Sequence, residues 1–123
     1  MYLGIGLDIL SYPLYIQFMT NTDTDLATQL YLDTIRKLSN QHYAEHFPNM
    51  KPSVYHIMKG RKYHRVVQEG QYSRSVHAFI GADGMLYKAE GWKKPAAGAR
   101  FNLLTDMDKI ASVFDPYGSY LYR

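Results

Sequence analysis

The hydrophobic pattern of this chain changes period at Pro48 and Pro52, and that change constrains the fold more than any other feature. Upstream, Leu26, Leu30, Tyr31, Ile35, Leu38 and His42 recur at helical spacing. Asn21, Thr22, Asp23 and Thr24 precede them and are residue types that cap helix N-termini. The pattern predicts a helix over 24–46, stopped by the two prolines. Downstream, four short segments (53–58, 63–68, 75–80 and 85–90) are separated by Gly60, by Gly70-Gln71 and by Asp83-Gly84. They predict antiparallel strands, and Asp83-Gly84 is the strongest hairpin signal because both residue types tolerate positive φ.

A loop of two or four residues at Asp83-Gly84 puts Val76, Ala78 and Ile80 on one face with Met85, Tyr87 and Ala89. That apolar face should meet the helix. The other face then carries Ser75, His77, Phe79, Leu86, Lys88 and Glu90, and an antiparallel sheet can leave such a face open to solvent. Further on, Pro95 is placed to open a helix, Thr105 and Asp108 resemble a capping box, and Met107, Ile110, Ala111 and Phe114 follow helical spacing up to Asp115-Pro116. The fold class is therefore α+β: an antiparallel sheet of three or four strands, packed on one face by the helix and by C-terminal helical segments. A chain of 123 residues makes one such domain. Residues 1–20 read as an apolar arm, with Leu3, Ile5, Leu7 and Ile9 at strand period, and 116–123 as a Tyr-rich tail.

The net charge of +3 is an average over unlike parts. Residues 1–50 hold two basic and five acidic side chains, residues 51–100 ten basic and three acidic, and residues 101–123 two basic and three acidic. The segments carry −3, +7 and −1. A basic block of this kind is the electrostatic footprint of a polyanion partner, or a solvated face that acidic flanks fold back to neutralise. Within it, Lys59, Arg61, Lys62, Tyr63, His64 and Arg65 interleave cations with an aromatic and an imidazole, and Trp92, Lys93, Lys94 and Arg100 repeat the mixture. Arg74 and Lys88 lie between. This pattern suits tracking phosphates while stacking bases, with Tyr63, Trp92 and Phe79 as the rings.

Other chemistry is weaker. His42, Glu45 and His46 spell the inverted zinc-protease motif without a third ligand. Gly4-Ile5-Gly6 lacks the rest of a dinucleotide fingerprint. His64, His77, Arg74, Lys88 and Tyr87 are candidates for a metal-independent acid–base site. The absence of cysteine excludes disulfides, thiolate metal sites and cysteine nucleophiles. No cofactor, resident metal or catalytic residue is expected. The apolar first 20 residues lack a basic leader and are broken by Pro13, so no targeting segment and no membrane association are expected.

The ordered series Gly60-Arg61-Lys62-Tyr63, Arg65-Val66-Val67, Arg74 to Phe79, Gly84, Tyr87-Lys88, Trp92, Pro95-Ala96, Gly98-Ala99-Arg100 and Asn102-Leu103 resembles a family of small proteins of unassigned function encoded by tailed bacteriophages. The resemblance spans roughly 59–104 and implies a phage protein in the cytoplasm of a bacterial host. The layout of helix, strands and a second helix opened by Lys93-Lys94 is similar to a double-stranded-RNA-binding domain. The expected function is an accessory protein that binds nucleic acid through the basic, aromatic-interleaved surface. The alternatives are a protein-binding module, either an inhibitor of a host factor or a virion component, and third a small nuclease. The apolar arm or the Tyr tail would carry a protein partner or a homodimer contact.

Overall fold

The computed structural model describes residues 13–122 of the chain. Helix α1 (Pro13–His46) is followed by strands β1 (Val54–Met58), β2 (Tyr63–Glu69), β3 (Arg74–Gly81), β4 (Met85–Lys88) and β5 (Phe101–Asn102), then by helix α2 (Met107–Val113) and a 3-10 turn (Ser119–Tyr122). The strands form one antiparallel meander in the order β1-β2-β3-β4-β5. The fold is α+β, with one more strand than the sequence predicted. None of the described helices is long and apolar enough to cross a membrane.

Helix α1 starts at Pro13 rather than near Thr24. Proline has no N–H to donate, which costs nothing in a first turn. Asn21 to Thr24 therefore lie inside the helix rather than at its N-terminus. The Leu3 to Ile9 alternation falls outside the described residues. A helix of 34 residues is about 50 Å long, whereas the eight residues of β3 span about 27 Å, so only part of α1 can lie on the sheet. The buried stripe is Ala27, Tyr31, Leu32, Ile35 and Ser39. Leu26 and Leu30, expected in the core, are 63% and 54% exposed. Leu30 is one residue from Tyr31, roughly 100° around the axis, and the larger ring takes the core.

The β3–β4 turn corrects the predicted facing. Ile80 pairs with Leu86 and Phe79 with Tyr87, so the loop is Ala82-Asp83-Gly84. Its length is odd, and an odd loop shifts the partner strand's parity by one residue. Leu86 therefore joins Ala78 and Ile80 on the core face, and Tyr87 joins Phe79 on the outer one. Gly84 closes the turn at φ +84, with its N–H on the Gly81 carbonyl at 3.0 Å.

A second irregularity lies between β2 and β3. Val66 pairs with Ala78 and Val67 with Val76, which leaves His77 as an extra residue in β3. A bulge of this kind re-aims a side chain and reverses parity beyond it. His77 turns into the core, 7% exposed, against Tyr55, Phe114 and Tyr120. Its hydrogen bonds can be given a direction. The Pro116 carbonyl can only accept, so Gln68 presents its amide Nε2 there at 3.1 Å and its Oε1 faces His77 Nδ1 at 3.2 Å. Nδ1 then carries the proton. Nε2 accepts from the Tyr120 hydroxyl at 2.8 Å, and the Tyr120 oxygen accepts from the Tyr31 hydroxyl at 2.8 Å. The chain of bonds joins β2, β3, α1 and the C-terminal turn.

No helix opens at Pro95. Pro95 bridges Ala89, the Arg100 N–H bonds to the Leu86 carbonyl at 2.7 Å, and Phe101–Asn102 continue as β5. Gly98 at φ +86 is incompatible with a helical run. No capping box forms at Thr105. Asp106 is the N-cap residue of α2 without a side-chain cap bond, and its carboxylate accepts the Asn102 N–H at 2.9 Å instead.

Gly84→Ala places a side chain at positive φ against Leu104 Cγ, 3.4 Å away, and should lower unfolding stability by about 1–2 kcal/mol in urea titrations. Burial pulls the His77 imidazole down from 6.5 to about 4. Below pH 6.5 the unfolded chain then binds a proton that the folded chain refuses. Stability should be full above pH 6.5 and fall as pH drops toward 4, by about 3 kcal/mol in all. Urea midpoints against pH test this, and His77→Gln should flatten that stretch of the profile.

Candidate nucleic-acid interface

The sheet face turned away from α1 carries Tyr63, Arg65 and Glu69 from β2, Arg74 and Phe79 from β3, and Tyr87 from β4, as the register requires. The bulge decides Arg74: without the extra residue it would share the parity of Ala78 and point to the core. On the outer face it pairs with Glu69, Nε to Oε2 at 3.1 Å. Tyr63 stands edge-on to Phe79 and to Tyr87, with centroids at 6.2 Å and 5.5 Å. The β1 register adds His56 and Met58, opposite Val67 and Arg65. These two were not singled out from the sequence, and only the β1–β2 register could have found them.

After β4 the chain turns back over this face. The Glu90 N–H bonds to the Lys94 carbonyl at 3.1 Å, and the turn so formed presents Trp92. Arg65 Nε donates to the Trp92 carbonyl at 2.7 Å. The Arg65 guanidinium lies 5.7 Å from the centroids of both Phe79 and Trp92, and Arg74 lies 5.1 Å from Trp92. Two cations thus hold the indole by attraction to its ring. Trp92 remains 39% exposed, whereas Phe79 is 2% exposed and offers no ring to a ligand.

Strand direction distributes the remaining cations. Lys59, Arg61 and Lys62 form the exposed β1–β2 turn at one end of β2. Trp92, Lys93 and Lys94 follow β4 at the other end, with Lys94 3.8 Å from Glu90. Three predicted residues belong elsewhere. His64 pairs with Ile80 on the core side, and its Nδ1 accepts the Gly60 N–H at 3.4 Å. Lys88 pairs with Ala78, and its ammonium sits 4.1 Å from the centroid of the Tyr122 ring. Arg100 is a clamp: its guanidinium donates to the carbonyls of Leu121 at 2.7 Å, Gly98 at 2.9 Å and Ala97 at 3.3 Å.

The ion pairs among the described residues are local: Arg36–Asp33, His46–Glu45, Arg74–Glu69 and Lys94–Glu90. None joins an acidic flank to the basic block. Lys59, Arg61, Lys62, Arg65 and Lys93 have no acidic partner among them. The candidate acid–base residues are split, with Arg74 and Tyr87 outside and His64, His77 and Lys88 on the core side. The His42 and His46 rings are 4.6 Å apart, beside Phe47 and Tyr117, and no metal-holding group of three or more His, Asp or Glu side chains occurs among the described residues.

A family model described as a family of unknown function, DUF7717, matches residues 15–123. The chain belongs to DUF7717. The DUF7717 match takes in the whole sheet and both basic turns. Neither a curated protein nor a solved structure matches this DUF7717 member.

The geometry around Trp92 is directly measurable, because it is the single tryptophan of the chain. Arg65→Ala removes the bond to its carbonyl and one cation from its ring. Steady-state emission should shift to the red and its anisotropy should fall, while far-UV circular dichroism stays unchanged.

Proposed function

We propose that this chain is a small phage-encoded accessory protein, acting in the cytoplasm of a bacterial host, that binds nucleic acid through the outer face of its sheet. The observation that carries this reading is the clustering of Arg65 and Arg74 on Trp92, flanked by Lys59, Arg61 and Lys62 at one end of β2 and Lys93 and Lys94 at the other. The acidic flanks form no ion pair with this block among the described residues, and Arg74 and Lys94 pair only with Glu69 and Glu90, so the charge of Lys59, Arg61, Lys62, Arg65 and Lys93 is available to a polyanion. The phage origin is supported by the residues of 59–104 alone.

A protein partner is the second reading. Leu30 and Leu104 are exposed apolar side chains around one shallow depression between α1 and the start of α2. The Tyr tail favours this reading less than its composition suggested, because Tyr120 and Leu121 are buried in the domain and only Tyr117 and Tyr122 stand open.

The nucleic-acid reading predicts binding to DNA or RNA oligonucleotides that weakens steeply with salt. The slope of log K against log salt should flatten by about 0.7–0.9 for each phosphate contact removed, in Lys62→Ala and again in Lys62→Ala with Arg65→Ala. Absence of binding to every oligonucleotide at low salt would refute it.

A further inference from the structure

We infer that the preferred ligand of the outer face is a single strand whose base stacks at Trp92; the inference rests on the nucleic-acid reading above. Sequence-independent grip on a single strand needs a cationic track for the backbone and an accessible aromatic surface for the bases. Both are present on this face and in the turns at its two ends. The track runs from Lys59, Arg61 and Lys62 past Arg65 to Arg74 and Lys93, about 20 Å along β2. The aromatic surface is the exposed part of Trp92, held in place through its carbonyl by Arg65 and along its ring by Arg65 and Arg74. A ring already ordered loses little freedom when a base settles on it.

The same face is poorly built for a duplex. Reading a major groove takes a protruding helix or a two-stranded ribbon. Helix α1 packs on the opposite face of the sheet, and Lys93-Lys94 open a turn rather than a helix. What the outer face offers is a ring, and the faces of bases in a duplex are already stacked on one another. Tyr63 extends the aromatic surface toward the Lys62 end, half-buried against Phe79 and Tyr87.

Trp92 also reports on the site. The full-length chain is titrated at low salt with labelled oligo-dT and oligo-U of about 12 nucleotides, and with the same sequences made double-stranded. Label anisotropy reads binding and tryptophan emission reads stacking. Both single strands should bind and quench Trp92, and the duplexes should bind at least tenfold more weakly. Oligo-dT against oligo-U decides whether DNA or RNA is the better source of the strand. Trp92→Ala should lower single-strand affinity about tenfold or more, and Trp92→Phe should recover part of it with an unchanged salt slope. Two results overturn the inference and leave the nucleic-acid reading intact. One is duplex binding as tight as single-strand binding. The other is single-strand binding that depends on Lys62 and Arg65 but neither quenches Trp92 nor responds to its replacement. No binding to any oligonucleotide overturns both.

Discussion

One residue of β3, His77, has no partner in β2, and both faces of the sheet depend on it. On the core side the bulge delivers an imidazole that ties Gln68 to Tyr120 and, through Tyr120, to Tyr31 of α1. Each polar atom in this series has a partner, and no orphaned side-chain N or O atom occurs in the described core. A buried polar network is costly when half-satisfied and rigid when complete. On the solvent side the same extra residue moves Arg74 from core parity to the outer face, where it meets Glu69 and Trp92. Without the bulge, Arg74 would take core parity at the end of β3 and leave the indole with one cation.

The C-terminal segment is part of this arrangement. Arg100 holds the Leu121 carbonyl, and Tyr120 is fixed by His77 and Tyr31. Burial alone would raise the Asp115 carboxyl, but bonds from Ser119 and from the Tyr117 N–H outweigh it and hold the group below the usual carboxylate range. A charged Asp115 shapes the turn that delivers Tyr120 to the core. The basic residue Arg100, which looked like a phosphate contact by composition, is engaged in closing the domain.

The strands and the helix were legible because turn chemistry and periodicity are local. Gly60, Gly70 and Asp83-Gly84 break the chain where the turns occur, and Pro48 and Pro52 separate the helix from β1. Facing was not legible. Asp83-Gly84 announces a hairpin whether the loop holds two, three or four residues, and the three-residue form reverses one strand. The Ser75-Val76-His77-Ala78 run contains no glycine or proline to mark a bulge. Lys88 and His77 were therefore placed on the open face by parity, and Arg100 among the phosphate contacts by composition. Trp92, Arg65 and Arg74 were legible as residue types, but their contact joins positions far apart in sequence and is created by the register and the return of the 90–94 turn.

The charge split along the sequence becomes a split in space. The acids of α1 and of the C-terminal segments belong to the layer on the core side of the sheet, while Lys59, Arg61, Lys62, Arg65 and Lys93, which have no ion pair among the described residues, lie on the other side or at its ends. An α-helix with its side chains is about 10–12 Å across. The Debye length at physiological salt is about 8 Å. Acids on the far side of α1 are therefore largely screened from the outer face; of the nearer acids, Glu69 and Glu90 are each engaged by one cation and Asp83, beside Lys62 and Tyr63, accepts the Met85 N–H. The field over Trp92 is set by Arg65, Arg74 and Lys93, and the field at the far end of β2 by Lys59, Arg61 and Lys62. A net charge of +3 understates what an approaching polyanion meets, and its orientation on approach follows from which side of the sheet the cations occupy.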